Sequence, residues 1–367
     1  MTQLIIVGGF LGAGKTTLLW HTAQQLIQQG KKVALITNDQ APELVDSTLL
    51  EHQGLQVAEV NGSCFCCNFN GFVDAIHQLI RDVSPDVILA EPVGSCADLS
   101  ATILQPVKRF LADELQLMPF TVLADPQRLS SILEGGNGGL HPDAAYIFRK
   151  QMEESDLLLL TKSDALSDSE QEHLLQQLQQ QYPSSRVLSV SAQLGAGIAE
   201  WLNALQQHQR VGERLLSIDY DKYAHGEAVL GWLNATLRIT APEPTDWNAL
   251  LHQLMDGLSS ELKQQQIPVG HVKAIIENAN AFAVCNLTHT DFPSTFRGDA
   301  GTSTEATLTI NARAETTPTH LEQLVRANSS NCFLPPSVKR NWHGNPYSQA
   351  DQIPPTASPW CFNSIPH

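Results

Sequence analysis

The chain has 367 residues, more than the about 250–300 at which a single core usually divides, so a large domain followed by a smaller one is expected. With 42% hydrophobic and 16% charged residues it reads as an ordinary globular protein, and no apolar run nears the roughly 18–20 residues that span a bilayer, which argues against a membrane-embedded chain. A formal net charge of −16 disfavours nucleic acid and anionic membrane surfaces as partners.

The opening MTQLIIVGGFLGAGK carries no cationic leader and runs straight into a motif, so export is not expected and a cytoplasmic location is. Seven cysteines, three of them within four positions, do not resemble a dispersed disulfide framework and suit reduced thiols.

Short apolar runs near residues 5, 35, 57, 88, 122, 158 and 188 alternate with helical stretches at 16–29, 72–82, 101–115, 143–154 and 170–181. That rhythm predicts an α/β fold, a doubly wound, mostly parallel sheet over 1–210. Gly135, Gly136, Gly138 and Gly139 suggest a mobile surface loop. A polar connector at 211–224 leads to a smaller α+β domain at 225–330. There GWLNATLRI reads as a strand, an amphipathic helix spans about 246–265, and VKAII, AFAVCNL and ATLTINA read as further strands. A short helix begins with Thr317 as N-cap and Pro318 in its first turn. The tail, 331–367, is rich in Pro, Asn and Ser and is expected to be irregular.

Gly9-Phe10-Leu11-Gly12-Ala13-Gly14-Lys15-Thr16, followed by Thr17, matches the phosphate-binding loop pattern between a strand and a helix. Its glycines let successive N–H groups and the positive helix end face phosphate oxygens. Lys15 suits the β- and γ-phosphates, and the Thr16 hydroxyl suits Mg²⁺. Thr161-Lys162-Ser163-Asp164 follows the run DLLLL, where a nucleotide-binding protein carries its base-reading loop. A carboxylate at Asp164 can accept from both donors of guanine, and adenine offers no such pair; a buried carboxylate left unpaired discriminates by about 10⁴-fold. Ser191-Ala192 resembles the loop that supplies a backbone donor to guanine O6, so GTP is favoured over ATP. Thr161 stands where such tetrapeptides usually have Asn. Asp39, Glu91, Asp125, Lys162 and Ser191 each fall just past an apolar run, at the carboxyl edge where open parallel sheets bind ligands. Glu91, with Gly94 three residues on, takes the Walker B position. Asp39 is the candidate for a second carboxylate on the Mg²⁺ side, and Asp125 reads equally as a brace or a contact.

Cys64-Phe65-Cys66-Cys67 sets the chain apart from other P-loop proteins. Three thiolates on a turned loop suit Zn²⁺, or Co²⁺ or another thiophilic divalent ion, and leave a position open for exchange. Packing cysteines, a redox pair and a structural zinc are the competing readings. Cys96, Cys285, Cys332 and Cys361 stand alone and read as structural.

The GGFLGAGKTT loop, the NGSCFCC segment, Glu91-x-x-Gly94, TKSD and VSAQLGAGI together resemble the CobW-like metallochaperone GTPases over about the first 205 residues. The resemblance implies slow, Mg²⁺-dependent GTP hydrolysis, with Lys15, Thr16, Asp39 and Glu91 at the reacting end. It also implies metal held by Cys64, Cys66 and Cys67 and delivered to a client metalloprotein. A nucleotide-dependent homodimer stays open as a second association. Ser63, between Gly62 and the first cysteine, departs from the family's usual Gly-Cys. A small-molecule kinase, or a metal buffer that keeps nucleotide as a structural ligand, are the rival functions; no arginine-rich lid supports the first.

Overall fold

A computed structural model describes residues 1–38, 56–60, 64–65, 68–208, 211–279, 281–331 and 339–348. The chain begins with β1 (Thr2–Gly9), α1 (Lys15–Gln28), β2 (Val33–Asn38), β3 (Gln56–Val60), α2 (Phe69–Asp82) and β4 (Val87–Glu91). A π-helical turn at Ser100–Leu104 runs into α3 (Gln105–Phe110), followed by β5 (Leu115–Leu117), β6 (Thr121–Ala124), α4 (Pro126–Leu133) and α5 (Pro142–Glu154). Next come β7 (Leu157–Leu160), α6 (Asp168–Gln181), β8 (Arg186–Ser189), α7 (Ile198–Gln207) and α8 (Tyr220–Ala228). The last part holds β9 (Gly231–Asp246), α9 (Trp247–Gln264), β10 (Val269–Glu277), β11 (Phe282–Leu287), β12 (Thr295–Gly298), β13 (Thr302–Ala314), α10 (Pro318–Asn331) and β14 (Lys339–Ser348).

The first sheet runs β3-β2-β4-β1-β6-β7-β8, with β5 also on β1, and its described pairings are all parallel. Buried on both faces, its strands are continuous apolar runs such as LIIV and LLLL, as parallel strands between helical layers must be. Helix α2 buries Phe72, Ala75, Ile76 and Leu79, an i, i+3, i+4, i+7 stripe facing the sheet. The expected doubly wound α/β architecture is therefore present, and a separate antiparallel sheet follows it.

That second sheet is ordered β12-β11-β10-β13-β9-β14. Along β10, Val272, Ala274 and Ile276 pack into the core with α9's Trp247, Leu251, Leu254 and Leu258. Strand alternation turns His271 and Lys273 to the opposite face, toward the first domain. Arg128 of α4, fully buried, bolts the domains together: its guanidinium donates to Gly138 O at 3.0 Å, Val269 O at 2.6 Å and Thr288 O at 2.7 Å. The Gly135–139 stretch, expected to be mobile, is thus held by Arg128 on Gly138 O and by Arg149 on Gly136 O.

Four local expectations change. The helix expected over 101–115 is broken into a π turn, a short α3 and β5, because Pro106 in the first turn of α3 has no N–H to continue the ladder. Two helices absent from the sequence-based expectation are present: α4 in the β6–β7 crossover and α7 after β8; α4 is capped by Asp125, whose side chain accepts from Gln127 N. The connector holds α8, capped by Asp219. Within the tail, Lys339–Ser348 is no irregular segment but an edge strand on β9. Among the described residues, no helix is long and apolar enough to cross a membrane.

Candidate functional site

The carboxyl ends of β1, β4, β6 and β7 and the polar face of the second sheet enclose a cleft of about 450 Å³. Of the residues singled out in the sequence, Gly12, Ala13, Gly14, Lys15, Thr16, Thr17, Glu91, Gly94, Lys162, Asp164 and Ala192 line it. Gly9 and Ser191 each contact a lining residue, Gly9 O accepting from Lys15 and Ser191 Oγ donating to Asp164. Cys64 is described, whereas Asp39, Cys66 and Cys67 lie outside the described residues.

At the phosphate end Gly14 adopts a left-handed conformation, φ 94°, as the N-cap of α1, and no side chain caps the helix. The first-turn amides of α1 are therefore presented to the cleft, which is the arrangement that binds anions. Lys15 Nζ, nearly buried, donates to Gly9 O at 3.0 Å and stands 3.9 Å from Glu91 Oε1. Thr16 Oγ1 donates to Glu91, 2.9 Å from Oε2 and 3.1 Å from Oε1. Cis oxygen ligands of an octahedral Mg²⁺ are spaced at about 2.9 Å, so this hydroxyl and carboxylate fit that ion. Gly94 packs closely on the phosphate loop: a Cβ there would stand 2.7 Å from Leu11 Cδ2 and 2.9 Å from Lys15 Nζ, so those side chains would have to shift.

At the base end, Lys162 takes a left-handed conformation, φ 53°, and its Nζ pairs with Asp125 Oδ2 at 2.8 Å. Asp125 is thereby a brace of the base loop. Thr161 stands in for the customary Asn by donating from Oγ1 to Ala124 O at 3.2 Å. Ser191 Oγ donates to Asp164 Oδ1 at 2.5 Å, so the two loops the sequence linked to guanine meet through their side chains. Asp164 borders the cleft.

The second sheet contributes groups that sequence reasoning missed. His271, Lys273, Asn286, Arg297 and Arg313 all line the cleft. Arg297 Nη2 donates to Thr17 Oγ1 at 3.2 Å. His271 is buried, and burial, followed by the nearby Lys273, Arg313 and Lys15, holds it well below the usual histidine range and hence neutral. In a chain of net charge −16 this concentration of cations beside the phosphate loop is local and directional. No sequence motif announces it, since strands from residue 269 onward are brought to the loop only by tertiary packing.

Cys64 is buried just before α2, and Asn68 N donates to its carbonyl at 2.9 Å. Phe65, between Cys64 and Cys66, donates its N–H to Asn38 Oδ1 at 2.7 Å, and Asn38 Nδ2 donates to Val60 O at 2.9 Å. Asn38 ends β2 and also borders the cleft. One residue therefore borders the cleft and, through its side chain, holds the backbone of the cysteine loop. Glu227 of α8, fully buried near Cys64 and Ser95, has its carboxyl pushed up to about 8, chiefly by burial. Burial likewise pushes the Cys285 thiol up to about 12, which makes it inert.

The family model described as CobW/HypB/UreG, nucleotide-binding domain, matches residues 3–189. The zinc chaperone YeiR of Escherichia coli (strain K12) is 29% identical over 196 residues, covering 51% of this chain and 54% of that protein. The zinc chaperone YjiA of the same organism is 28% identical over 179 residues, covering 46% of this chain and 51% of its own. The chain thus spans about half the length of the curated relatives it matches. The crystal structure of Zn(II)-bound YjiA GTPase from E. coli superposes with a TM-score of 0.38 at 17% identity, covering 90% of this chain and 98% of that one, a likeness too loose to argue from. The match across the whole parallel-sheet domain, on a cleft built as described, places this chain in the CobW/HypB/UreG family of nucleotide-binding domains.

Proposed function

We propose that this chain hydrolyses GTP and uses the nucleotide cycle to bind a divalent metal at its Cys64-Phe65-Cys66-Cys67 loop and release it to a client protein. Zn²⁺ is the first candidate cargo, supported by the names of the relatives, and Co²⁺ the second. The observation that carries this reading is Asn38, which borders the nucleotide cleft and holds the Phe65 amide inside the cysteine motif.

In this account Lys15 and the first-turn amides of α1 bind the β- and γ-phosphates, and Arg297 and Lys273 add positive charge from the opposite wall. Thr16 and Glu91, with Asp39, would hold Mg²⁺, which when bound neutralises phosphate charge. Asp164 reads guanine, with Ser191 fixing its orientation. A change at the γ-phosphate is passed through the end of β2 to Asn38 and so to Phe65. A coupling of about 1–3 kcal/mol shifts metal affinity roughly 5- to 150-fold, enough to direct transfer.

The test is transfer of zinc from the loaded protein to a chromogenic chelator, with GDP or a non-hydrolysable GTP analogue bound. Transfer rates that differ between the two states support the reading; equal rates together with no GTP turnover would overturn it.

A further inference from the structure

We propose that His141, Asp143 and His225 form a second divalent-metal site, separate from the cysteine loop, which clasps the interdomain helix α8 to the nucleotide-binding domain. It does not depend on the cysteine motif. His141 is the N-cap of α5 and Asp143 lies in that helix's first turn, whereas His225 comes from α8, across 82 residues of sequence. Both imidazoles converge on a single oxygen: Asp143 Oδ2 is 2.6 Å from His225 Nδ1 and 3.7 Å from His141 Nδ1. One ligand atom from each residue lies within 4.8 Å of the others, and the rings stand 5.1 Å apart at 71°, nearly edge to face.

A lone histidine beside an aspartate is an ordinary ion pair. Two imidazoles on one carboxylate oxygen make a different chemistry, because two nitrogens and an oxygen are a ligand set for Zn²⁺, with water in the fourth position. Tetrahedral ligands at zinc distances are spaced about 3.3 Å apart. The His141 contact is near that value, and the His225 contact opens by roughly 0.7 Å as a metal replaces its hydrogen bond. His141 gives up only the 3.2 Å bond it accepts from Asp143 N. The side chains are 36%, 23% and 57% exposed for His141, Asp143 and His225, so an ion can reach the site and exchange.

The surroundings hold the ligands in place. A Cβ at Gly226 would stand 2.5 Å from Asp143 O, so α8 lies flush on the start of α5. Tyr146 Oη accepts from Asp219 N at 2.8 Å, and His141 N donates to Glu315 of the loop after β13. The site thus joins α5, the interdomain helix and the end of the second sheet. A bound ion would fix the junction through which the two halves of the cleft meet.

The probe is Co²⁺ titrated into the full-length protein, because thiolate ligation gives an intense sulfur-to-metal charge-transfer band and a nitrogen-oxygen site only weak d–d absorption. With excess Mg²⁺ present to fill the Thr16–Glu91 site, the expected result is two classes of bound Co²⁺ in the wild type. His225→Ala should lose the class without charge transfer and keep the other. His225→Asn, which leaves Asp143 a polar partner, should do the same and separates ligand loss from misfolding, with an unshifted melting temperature in metal-free buffer as the control. Retention of the weakly absorbing class in both variants, or wild-type protein in which all bound Co²⁺ is thiolate-ligated, would overturn the proposal. Failure of the cysteine site would show instead as a missing charge-transfer band in the wild type.

Discussion

Arg297 of the antiparallel sheet donates to Thr17 Oγ1 at 3.2 Å, one residue beyond the Thr16 hydroxyl that binds Glu91. The C-terminal half of the chain is therefore a wall of the nucleotide cleft, and not an appendage.

Arg297→Ala should weaken binding of a GTP analogue by about 5- to 30-fold, the equivalent of one charge-assisted hydrogen bond, and weaken GDP less. Equilibrium titration with fluorescent nucleotides measures both. Equal losses for GDP and the GTP analogue would show that Arg297 does not sense the terminal phosphate.

Lys15→Ala should reduce nucleotide affinity by about 10- to 100-fold and abolish turnover while the protein stays folded. Its ammonium bonds the carbonyl of Gly9 and lies 3.9 Å from Glu91, so the fold is checked alongside binding. Circular dichroism and a phosphate-release assay separate the two effects, and undiminished hydrolysis would remove the phosphate assignment.

Asp164→Asn should cut the preference for GTP over ATP by about 100-fold or more. An asparagine Oδ1 still accepts from Ser191, so the loop keeps its shape and only the base-reading charge is lost. Competition between the two nucleotides provides the measurement; an unchanged ratio would contradict the guanine reading.

Glu154 gives a pH dependence of stability. It is buried, which raises its carboxyl to about 7, partly offset by the hydrogen bond from Ser100 N. The native state thus keeps a proton that the unfolded chain releases near the ordinary carboxylate value. Stability from this group is present below about pH 4.5 and is lost as pH rises through about 7, by on the order of 2–3 kcal/mol. Denaturant titrations between those pH values should show stability falling more steeply with pH in the wild type than in Glu154→Gln, which keeps only the slope from other buried carboxyls such as Glu227. Equal slopes would place the titration elsewhere.

Most of the parallel-sheet domain was legible in the sequence because its signals are local. The phosphate loop lies within nine residues, and TKSD and Ser191-Ala192 follow directly on strands. Thr161, at the position where such tetrapeptides usually have Asn, bonds Ala124 O through its hydroxyl. What could not be read was set by contacts remote in sequence. Asn38 looks like any strand-end amide until Phe65 is packed against it. Helix α8 contains Gly226, a poor helix residue, whose missing side chain is what lets it sit on α5. Strand β14 contains Gly344 and Pro346, which break the usual strand pattern and are tolerated because it lies at the sheet edge, where proline's lost donor costs little.

In the proposed mechanism nucleotide and metal are linked through Asn38 and the cysteine loop. Its most direct test is a pair of calorimetric titrations at fixed pH, with Zn²⁺ added to the GDP-bound form and to the form bound to a non-hydrolysable GTP analogue. The account predicts affinities for the thiolate site that differ by about 5- to 150-fold, the same factor when nucleotide is titrated with and without metal, and loss of that site in Cys66→Ser with GTP binding retained. Identical zinc affinities in the two nucleotide states would contradict it.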